Sequence, residues 1–240
     1  MVVLNLGCGS RTSPRCVNLD WSPYLRLKQS RLGTALAPKL LRGERRTRFI
    51  ALEGTVVVHD LRRPLPVADG SVDAVYHSHL VEHLDRNRVA PFLAEVRRVL
   101  RVGGLHRVVV PDLEVRCRRY LGHLEACAEN PDLIRDHDAC IGEIVEQMVR
   151  REAAGTAGQP PVRRFVENVL LGDARRRGET HQWMYDRVNL AAALGEAGFR
   201  DITVQQHRTS AIPGWDEIAL DEREDGGEYL PGSLYMESRK

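Results

Sequence analysis

The sequence predicts an α/β fold: a seven-stranded, mostly parallel sheet with helices on both faces and an antiparallel last strand. Three observations carry this. Short β-type apolar runs alternate with helical spacing through residues 2–112. The first run breaks at a glycine turn, Gly7-Cys8-Gly9-Ser10. The last two runs follow one another with no helix between them, which sets one strand antiparallel.

Val2-Val3-Leu4-Asn5-Leu6 reads as a buried strand that stops at those glycines. Cys16-Val17-Asn18-Leu19 is the second strand and ends on Asp20. Residues 22–50 carry Arg26, Lys28, Arg31, Lys39, Arg42, Arg45, Arg46 and Arg48 against Glu44, with leucines interspersed. A partly helical surface connection is expected there, an anionic partner or substrate surface being the alternative. Thr55-Val56-Val57-Val58 is the third strand and leads into His59-Asp60-Leu61; Pro64 and Pro66 then forbid regular structure. Val72-Asp73-Ala74-Val75-Tyr76 is the fourth and runs into His77-Ser78-His79-Leu80.

The spacing of Val89, Phe92, Leu93, Val96, Val99 and Leu100 predicts a helix over residues 86–101, stopped by Gly103-Gly104. His106-Arg107-Val108-Val109-Val110 is the fifth strand, closed by Pro111-Asp112. Residues 113–187 leave this rhythm. They are expected to form a helical insert or cap, with a Gly- and Pro-rich mobile loop at 154–161, inside a single domain spanning 1–240. Residues 188–197 resume helical spacing before Gly198. Ile202-Thr203-Val204-Gln205 and Ser233-Leu234-Tyr235-Met236-Glu237 close the sheet, joined by a long loop through Trp215 and an acidic stretch.

In an open parallel sheet, ligands bind beyond the carboxyl ends of the strands. Glycine there lets backbone approach the ligand, and the Asp20 carboxylate can accept from both hydroxyls of a ribose. A dinucleotide site wants a third glycine in G-x-G-x-x-G and an acid about 20 residues on. Here the third glycine is missing and Asp20 follows Gly9 by 11 residues. Residues 10–15 are too few for a full crossover helix, which needs about a dozen. The first crossover is therefore expected to be a truncated loop. A pyrophosphate would lose the helix N-terminus that receives it, which argues against a nicotinamide or flavin cofactor.

The formal net charge of +2 supplies no general field toward nucleic acid or membrane. The chain shows neither a charged-then-apolar leader nor an apolar run long enough to span a bilayer. Its 5 cysteines are odd in number and lack C-x-x-C spacing. They read as reduced thiols of a cytoplasmic protein, with no zinc expected.

Several pieces now occur in order over residues 2–112: Leu4-Asn5-Leu6-Gly7-Cys8-Gly9, Asn18-Leu19-Asp20, His59-Asp60-Leu61, Pro64-Leu65-Pro66, Ser78-His79-Leu80-Val81-Glu82-His83-Leu84, Arg98-Val99-Leu100, Gly103-Gly104 and Val110-Pro111-Asp112. Together they resemble the class I S-adenosylmethionine-dependent methyltransferases, in particular the small-molecule type-11 group. Trp183-Met184-Tyr185-Asp186 and Glu196-Ala197-Gly198-Phe199 are similar in style, and residues 113–180 match nothing in that family. The resemblance implies a Rossmann-like sheet and S-adenosylmethionine as cofactor. It implies that Gly7 and Gly9 line the methionine moiety, with Asn5 and Cys8 beside them. Asp20 would hold the ribose and Trp21 would flank the adenine. Asp60 would accept from the adenine amine, with Leu61 and His59 adjoining, and His77 and Ser78 would sit near the sulfonium. Two features depart from the family. Asn5 stands where an acid is usual, and the first helix is truncated, so Arg11 or Arg15 is expected to meet the cofactor carboxylate.

A sulfonium methyl is already activated, so transfer needs alignment and desolvation first. A base is needed only for an acceptor that still carries its proton. His79 is the first candidate base, His77 its competitor on the same strand face, and His181 a third that would reach in from the cap. A structural or surface histidine is the alternative for each. Glu82-His83 are expected to fix the start of the next helix. Asp112 is expected either to orient substrate or to cap a helix, and Trp183 and Tyr185 to touch substrate. No metal is expected, because only His79 and His83 have i, i+4 spacing and no further ligand confirms them.

The expected activity is methyl transfer to an O, N or S atom of a small molecule such as a sugar or secondary metabolite. A nucleic-acid substrate is disfavoured, since neither [Asp/Asn]-Pro-Pro-aromatic nor Pro-Cys appears where such enzymes carry it. A peptide or protein methyltransferase and a non-catalytic cofactor-binding scaffold remain alternatives, and a homodimer is an open expectation.

Overall fold

The computed structural model describes residues 1–41, 43–52, 55–148 and 180–240. The strands are β1 (Val3–Leu6), β2 (Val17–Asp20), β3 (Val57–Val58), β4 (Val72–Ser78), β5 (Leu100–Pro111), β6 (Arg200–Gln205) and β7 (Ser233–Arg239). They form one sheet in the order β3-β2-β1-β4-β5-β7-β6. Neighbours from β3 to β5 run parallel, and β7 is antiparallel to both β5 and β6. This is a Rossmann-like α/β sheet with its last strand reversed.

Helices α1 (Pro23–Gln29), α2 (Arg31–Leu40) and α3 (Glu44–Ala51) occupy the basic segment. They are followed by α4 (Arg86–Val99), α5 (Leu113–Glu129), α6 (His137–Met148), α7 (Arg187–Glu196) and the short α8 (Trp215–Ile218). Residues 113–148 are therefore helical as expected, and the loop expected at 154–161 lies outside the described residues.

The period of two along β4 and β5 divides the core. Val75, Val108 and Val110 face Val89, Phe92, Leu93 and Val96 of α4 and Leu190 and Leu194 of α7. Ala74, Tyr76, Leu105 and Val109 face Trp215, Ile218, Leu220 and Tyr235 on the other side. A crossover helix between β1 and β2 would normally help cover that second face. None forms, as the short spacing foretold. The segment around α8 covers it instead, and Arg11 in the shortened crossover binds it: Nε donates to the Leu220 carbonyl at 3.1 Å, and Nη2 reaches the carbonyls of Ala219 and Glu222.

β5 begins at Leu100, six residues before the expected start. Gly103 and Gly104 do not follow a helix end as its stop; they sit within the strand, where the register shifts between Val72 and Ala74. Gly104 is demanded by close approach. A Cβ there would lie 2.9 Å from the Arg101 carbonyl and 3.1 Å from that of Asp73. Gly104→Ala is expected to lower stability by about 1–3 kcal/mol, as overpacking does. A urea midpoint equal to that of the unmodified protein would remove this explanation of the glycine.

No described helix is long and apolar enough to cross a membrane. None of the 5 cysteines, all among the described residues, forms a disulfide.

Candidate active site

A cavity of about 420 Å³ opens at the carboxyl ends of β1 and β4. Asn5, Gly7, Cys8, Gly9, Tyr76 and Ser78 form its floor, Ser22 and Tyr24 of the α1 start one side, and Tyr229 and Leu230 the far wall. The turn is built for backbone contact. Gly7 and Gly9 have φ of 68° and 53°, a region that favours glycine. The amides of Gly7 and Cys8 both donate to the Leu19 carbonyl, at 2.8 and 3.2 Å, which turns the loop toward β2.

Asp20 stitches the turn together: one carboxylate oxygen accepts from Gly9 N at 2.7 Å and the other from Ser22 N at 2.7 Å. Asn5 is buried and donates to the Arg11 carbonyl and to Asn18 Oδ1, both at 2.9 Å. It thus braces the short crossover as a neutral group where a carboxylate would lack a counter-charge. Arg11 lines the cavity, with its guanidinium engaged by the segment around α8, and Arg15 lies outside the lining. Besides its carbonyl contacts, Arg11 stacks on Tyr229 with its guanidinium carbon 4.6 Å from the ring centre, and Arg15 pairs with Glu217. The truncation that was expected to free them needs them to hold its replacement.

The other expected cofactor residues lie to the β3 side. His59 N donates to the Asp20 carbonyl at 2.9 Å. Asp60 is held by Arg62 through both oxygens, at 2.8 and 2.9 Å. Burial opposes ionisation there, but the hydrogen bonds and charge of Arg62 hold the Asp60 carboxyl below the usual range. Arg26 and Arg62 both stack on Trp21, 4.0 and 5.4 Å from its centre. Leu61 packs against the main core. Side-chain contacts from Arg62 thus tie together the two residues expected at the adenine.

The histidines separate. His77 is 0% exposed and points to the α4 face, with Nε2 2.9 Å from His106 Nε2 and its ring against Phe92. As a side chain it is a core group, which corrects the expectation of a second cleft base. The shared-face argument fails because the strand ends at Ser78 and His79 leaves extended geometry, with φ 49°. His79 follows the end of β4, outside the residues that line the cavity. Its Nε2 is 2.9 Å from Ser233 Oγ, and that hydroxyl donates to the Leu230 carbonyl at 2.7 Å. The hydroxyl therefore accepts from His79, which places the proton on Nε2 and a lone pair on Nδ1. Nδ1 lies 3.3 Å from Glu82 Oε1. Burial, then the nearby His83, His181 and Arg116, push the His79 pKa down to about 3. Burial pushes the Glu82 carboxyl up to about 8.

His181 is buried, its ring edge-on to that of His83 at 4.7 Å between centres. Asp112 caps α5, accepting from Glu114 N at 2.8 Å and Val115 N at 3.4 Å. Of the two roles expected for Asp112, the structure shows the cap. Tyr185 is 5% exposed and belongs to the main core, so its side chain is a packing group rather than the expected substrate contact. Trp183 stays partly exposed and stacks under Arg86 at 3.9 Å.

Sequence reading missed two groupings. Glu82, His83 and His181 bring one ligand atom each within 4.8 Å of one another, as do His123, Cys127 and His137. Glu82 and His83 adjoin and His123 and Cys127 are four apart, but the third member of each comes from another segment, so spacing alone gave no complete set. It also missed Arg107, fully buried in β5 between Asp221 and Glu237. A charged residue inside an apolar strand was the available clue.

Residues 4–108 match the family model described as a methyltransferase domain. No curated protein matches the chain. Among solved structures, a SAM-dependent methyltransferase from Archaeoglobus fulgidus is 14% identical with TM-score 0.44, over 100% of this chain and 86% of that one. One from Methanosarcina mazei is 14% identical with TM-score 0.45, over 100% and 92%. Human N-acetylserotonin methyltransferase, in complex with SAM, is 11% identical with TM-score 0.39, over 100% and 47%. Residues 4–108 thus carry the methyltransferase-domain pattern, on the strands and the glycine turn that build the cavity.

Proposed function

We propose that the protein moves the methyl group of S-adenosylmethionine to an O or N atom, or less readily an S atom, of a small molecule such as a sugar or secondary metabolite. The observation that carries this reading is the cavity at the glycine turn. Its volume of about 420 Å³ falls in the roughly 300–1,000 Å³ range of small-ligand sites. Bare backbone at Gly7 and Gly9 and the small side chains of Cys8 and Ser78 line it. Asn5, Gly7, Cys8 and Gly9 would hold the methionine end, Asp20 and Trp21 the nucleoside, and His59, Asp60 and Leu61 the adenine, once Arg62 yields the Asp60 carboxylate. The cofactor supplies an electrophilic methyl on a sulfonium.

The chain's own part is placement and proton handling. Ser78 lines the floor of the cavity with Asn5, and the main chain of His77 just before it would adjoin the sulfonium. His79 is the candidate base, with His181 behind it across Glu82. His79 is neutral at physiological pH, and burial makes it a weak base. That suits an acceptor that is already unprotonated, such as a neutral amine, or one whose proton becomes acidic only as the methyl transfers. Asp112 and Trp183 mark the substrate side, under a cap formed by residues 113–187 of a single domain. The free thiols fit a reducing, cytoplasmic setting.

The test is transfer of labelled methyl to a panel of hydroxyl, amine and thiol acceptors, with peptides alongside. Small-molecule turnover is expected, reduced by about 10²-fold or more in His79→Ala with cofactor affinity kept. Turnover on peptides alone would move the assignment to a protein substrate. Unaltered kcat in His79→Ala would remove the histidine from the mechanism.

A further inference from the structure

We propose that Glu82, His83 and His181 form a binding site for one first-row divalent transition-metal ion, with zinc the best fit to the donor set. Glu82 is 0% exposed, and among the described residues neither of its carboxylate oxygens has a hydrogen-bond partner. Native proteins seldom leave a buried carboxyl in that state, because its desolvation goes uncompensated. The atoms it faces are ring nitrogens. One ligand atom from each of the three residues lies within 4.8 Å of the others. Tetrahedral ligands about 2.0–2.1 Å from zinc stand roughly 3.3 Å apart, so modest inward rotation closes the set.

The surroundings are those of a built site. His83 Nδ1 lies 3.2 Å from the Thr180 carbonyl, which fixes the ring and makes Nε2 the atom that would ligate. Such a carbonyl behind a histidine is the usual outer support of a metal ligand. The two chain segments that supply the ligands are clamped at the same place: Gln182 N donates to the Glu82 carbonyl at 2.6 Å, and Trp183 N does so at 3.4 Å. His79 borders the set, its Nδ1 3.3 Å from Glu82 Oε1.

Two imidazoles and one carboxylate select zinc and its first-row neighbours over magnesium or calcium, which prefer all-oxygen shells. Three protein ligands leave a position for water or for an acceptor oxygen, the pattern of an open site rather than a closed structural one. The other grouping, His123, Cys127 and His137, is knit by hydrogen-bond-length contacts among its own donor atoms. His123 Nδ1 lies 3.1 Å from His137 Nδ1 and 3.3 Å from Cys127 Sγ. It serves as the control.

The test is titration of the chelator-stripped protein with Co²⁺, read by its visible d–d absorption, then displacement by Zn²⁺. One Co²⁺ per chain is expected. Glu82→Gln and His181→Ala are each expected to weaken it by at least about 100-fold, the upper end of what losing even an outer-shell partner costs. Cys127→Ser is expected to leave it unchanged. Far-UV circular dichroism checks that each variant folds, and His83→Ala supplies the same readout if Glu82→Gln does not. Absence of stoichiometric Co²⁺ binding, binding retained in both folded variants, or binding lost only in Cys127→Ser would each overturn the site.

Discussion

Arg107→Met is expected to destabilise the protein by about 3–5 kcal/mol, the cost of leaving buried charges without their partner. Arg107 is 0% exposed in the middle of β5, and its guanidinium is the hub of one face of the sheet. Nε donates to Asp221 at 2.8 Å, and Nη1 to Glu237 and the Thr209 carbonyl, both at 2.8 Å. Nη2 donates to the carbonyls of Gln206 and His207, at 2.9 and 3.3 Å. Trp215 and Tyr235 pack on the guanidinium at 4.7 and 5.3 Å. Tyr76 completes the cluster with a 2.6 Å bond to Asp221. Removing the cation leaves two carboxyls buried and frees the three carbonyls of the segment that covers this face. Arg107→Lys keeps the charge but has three donors in place of five and no planar fork, so a smaller yet clear loss is expected. With a urea slope of about 1–3 kcal/mol/M, Arg107→Met lowers the midpoint by 1 M or more. A midpoint unchanged in Arg107→Met would show that the network is not what holds residues 206–222 on the sheet.

The second large effect is on pH. His77 and His106 share one hydrogen bond at 2.9 Å inside the other core face, and among the described residues the buried Nδ1 of each finds no partner. Burial depresses both, His106 to about 3 and His77 well below its ordinary value, the latter also through the neighbouring His106. The folded state therefore holds both neutral while the unfolded chain protonates them near pH 6.5. Below that pH the unfolded state binds more protons, so stability is present above about 6.5 and is lost as pH falls toward the folded values. At pH 5 the deficit from His106 is about 2 kcal/mol, at about 1.4 kcal/mol per pH unit, and His77 adds to it in the same direction. The double variant His77→Leu/His106→Leu removes this slope. It is also expected to cost less than the two single changes summed, because each single change leaves one imidazole unpaired in an apolar core. Urea midpoints at pH 5 and 7 measure both. Equal pH slopes in the unmodified protein and the double variant would contradict the buried-pair account.

These two clusters also mark where sequence reading stops. Strands β1, β2 and β4 and helix α4 were legible because each carries its own apolar period, and Gly7, Gly9 and Asp20 because a turn between parallel strands has few uses. β5 was shortened in prediction because Gly103-Gly104 reads as a helix stop, whereas Gly104 answers to the Asp73 carbonyl in β4, a distant part of the chain that only pairing reveals. His77 was placed in the cleft by extending a strand period past its end, and Tyr185 near substrate because an aromatic in a polar run says nothing of the core it enters. The contacts of Arg11 with residues 219–222 and of Arg62 with Asp60 are choices among many partners for a long cation, which no local pattern encodes.

The most direct measurement is calorimetric titration of the intact protein with S-adenosylmethionine and S-adenosylhomocysteine, with NAD as control, repeated on Ser78→Leu. Ser78 lines the cavity floor and ends β4, so a larger side chain there fills space the cofactor needs. Micromolar binding of both sulfur compounds is expected, none of NAD, and affinity at least about tenfold weaker in the variant, a difference of 1.4 kcal/mol. Binding of NAD in their place, or S-adenosylmethionine bound equally well by Ser78→Leu, would contradict a methyl-donor site at the glycine turn.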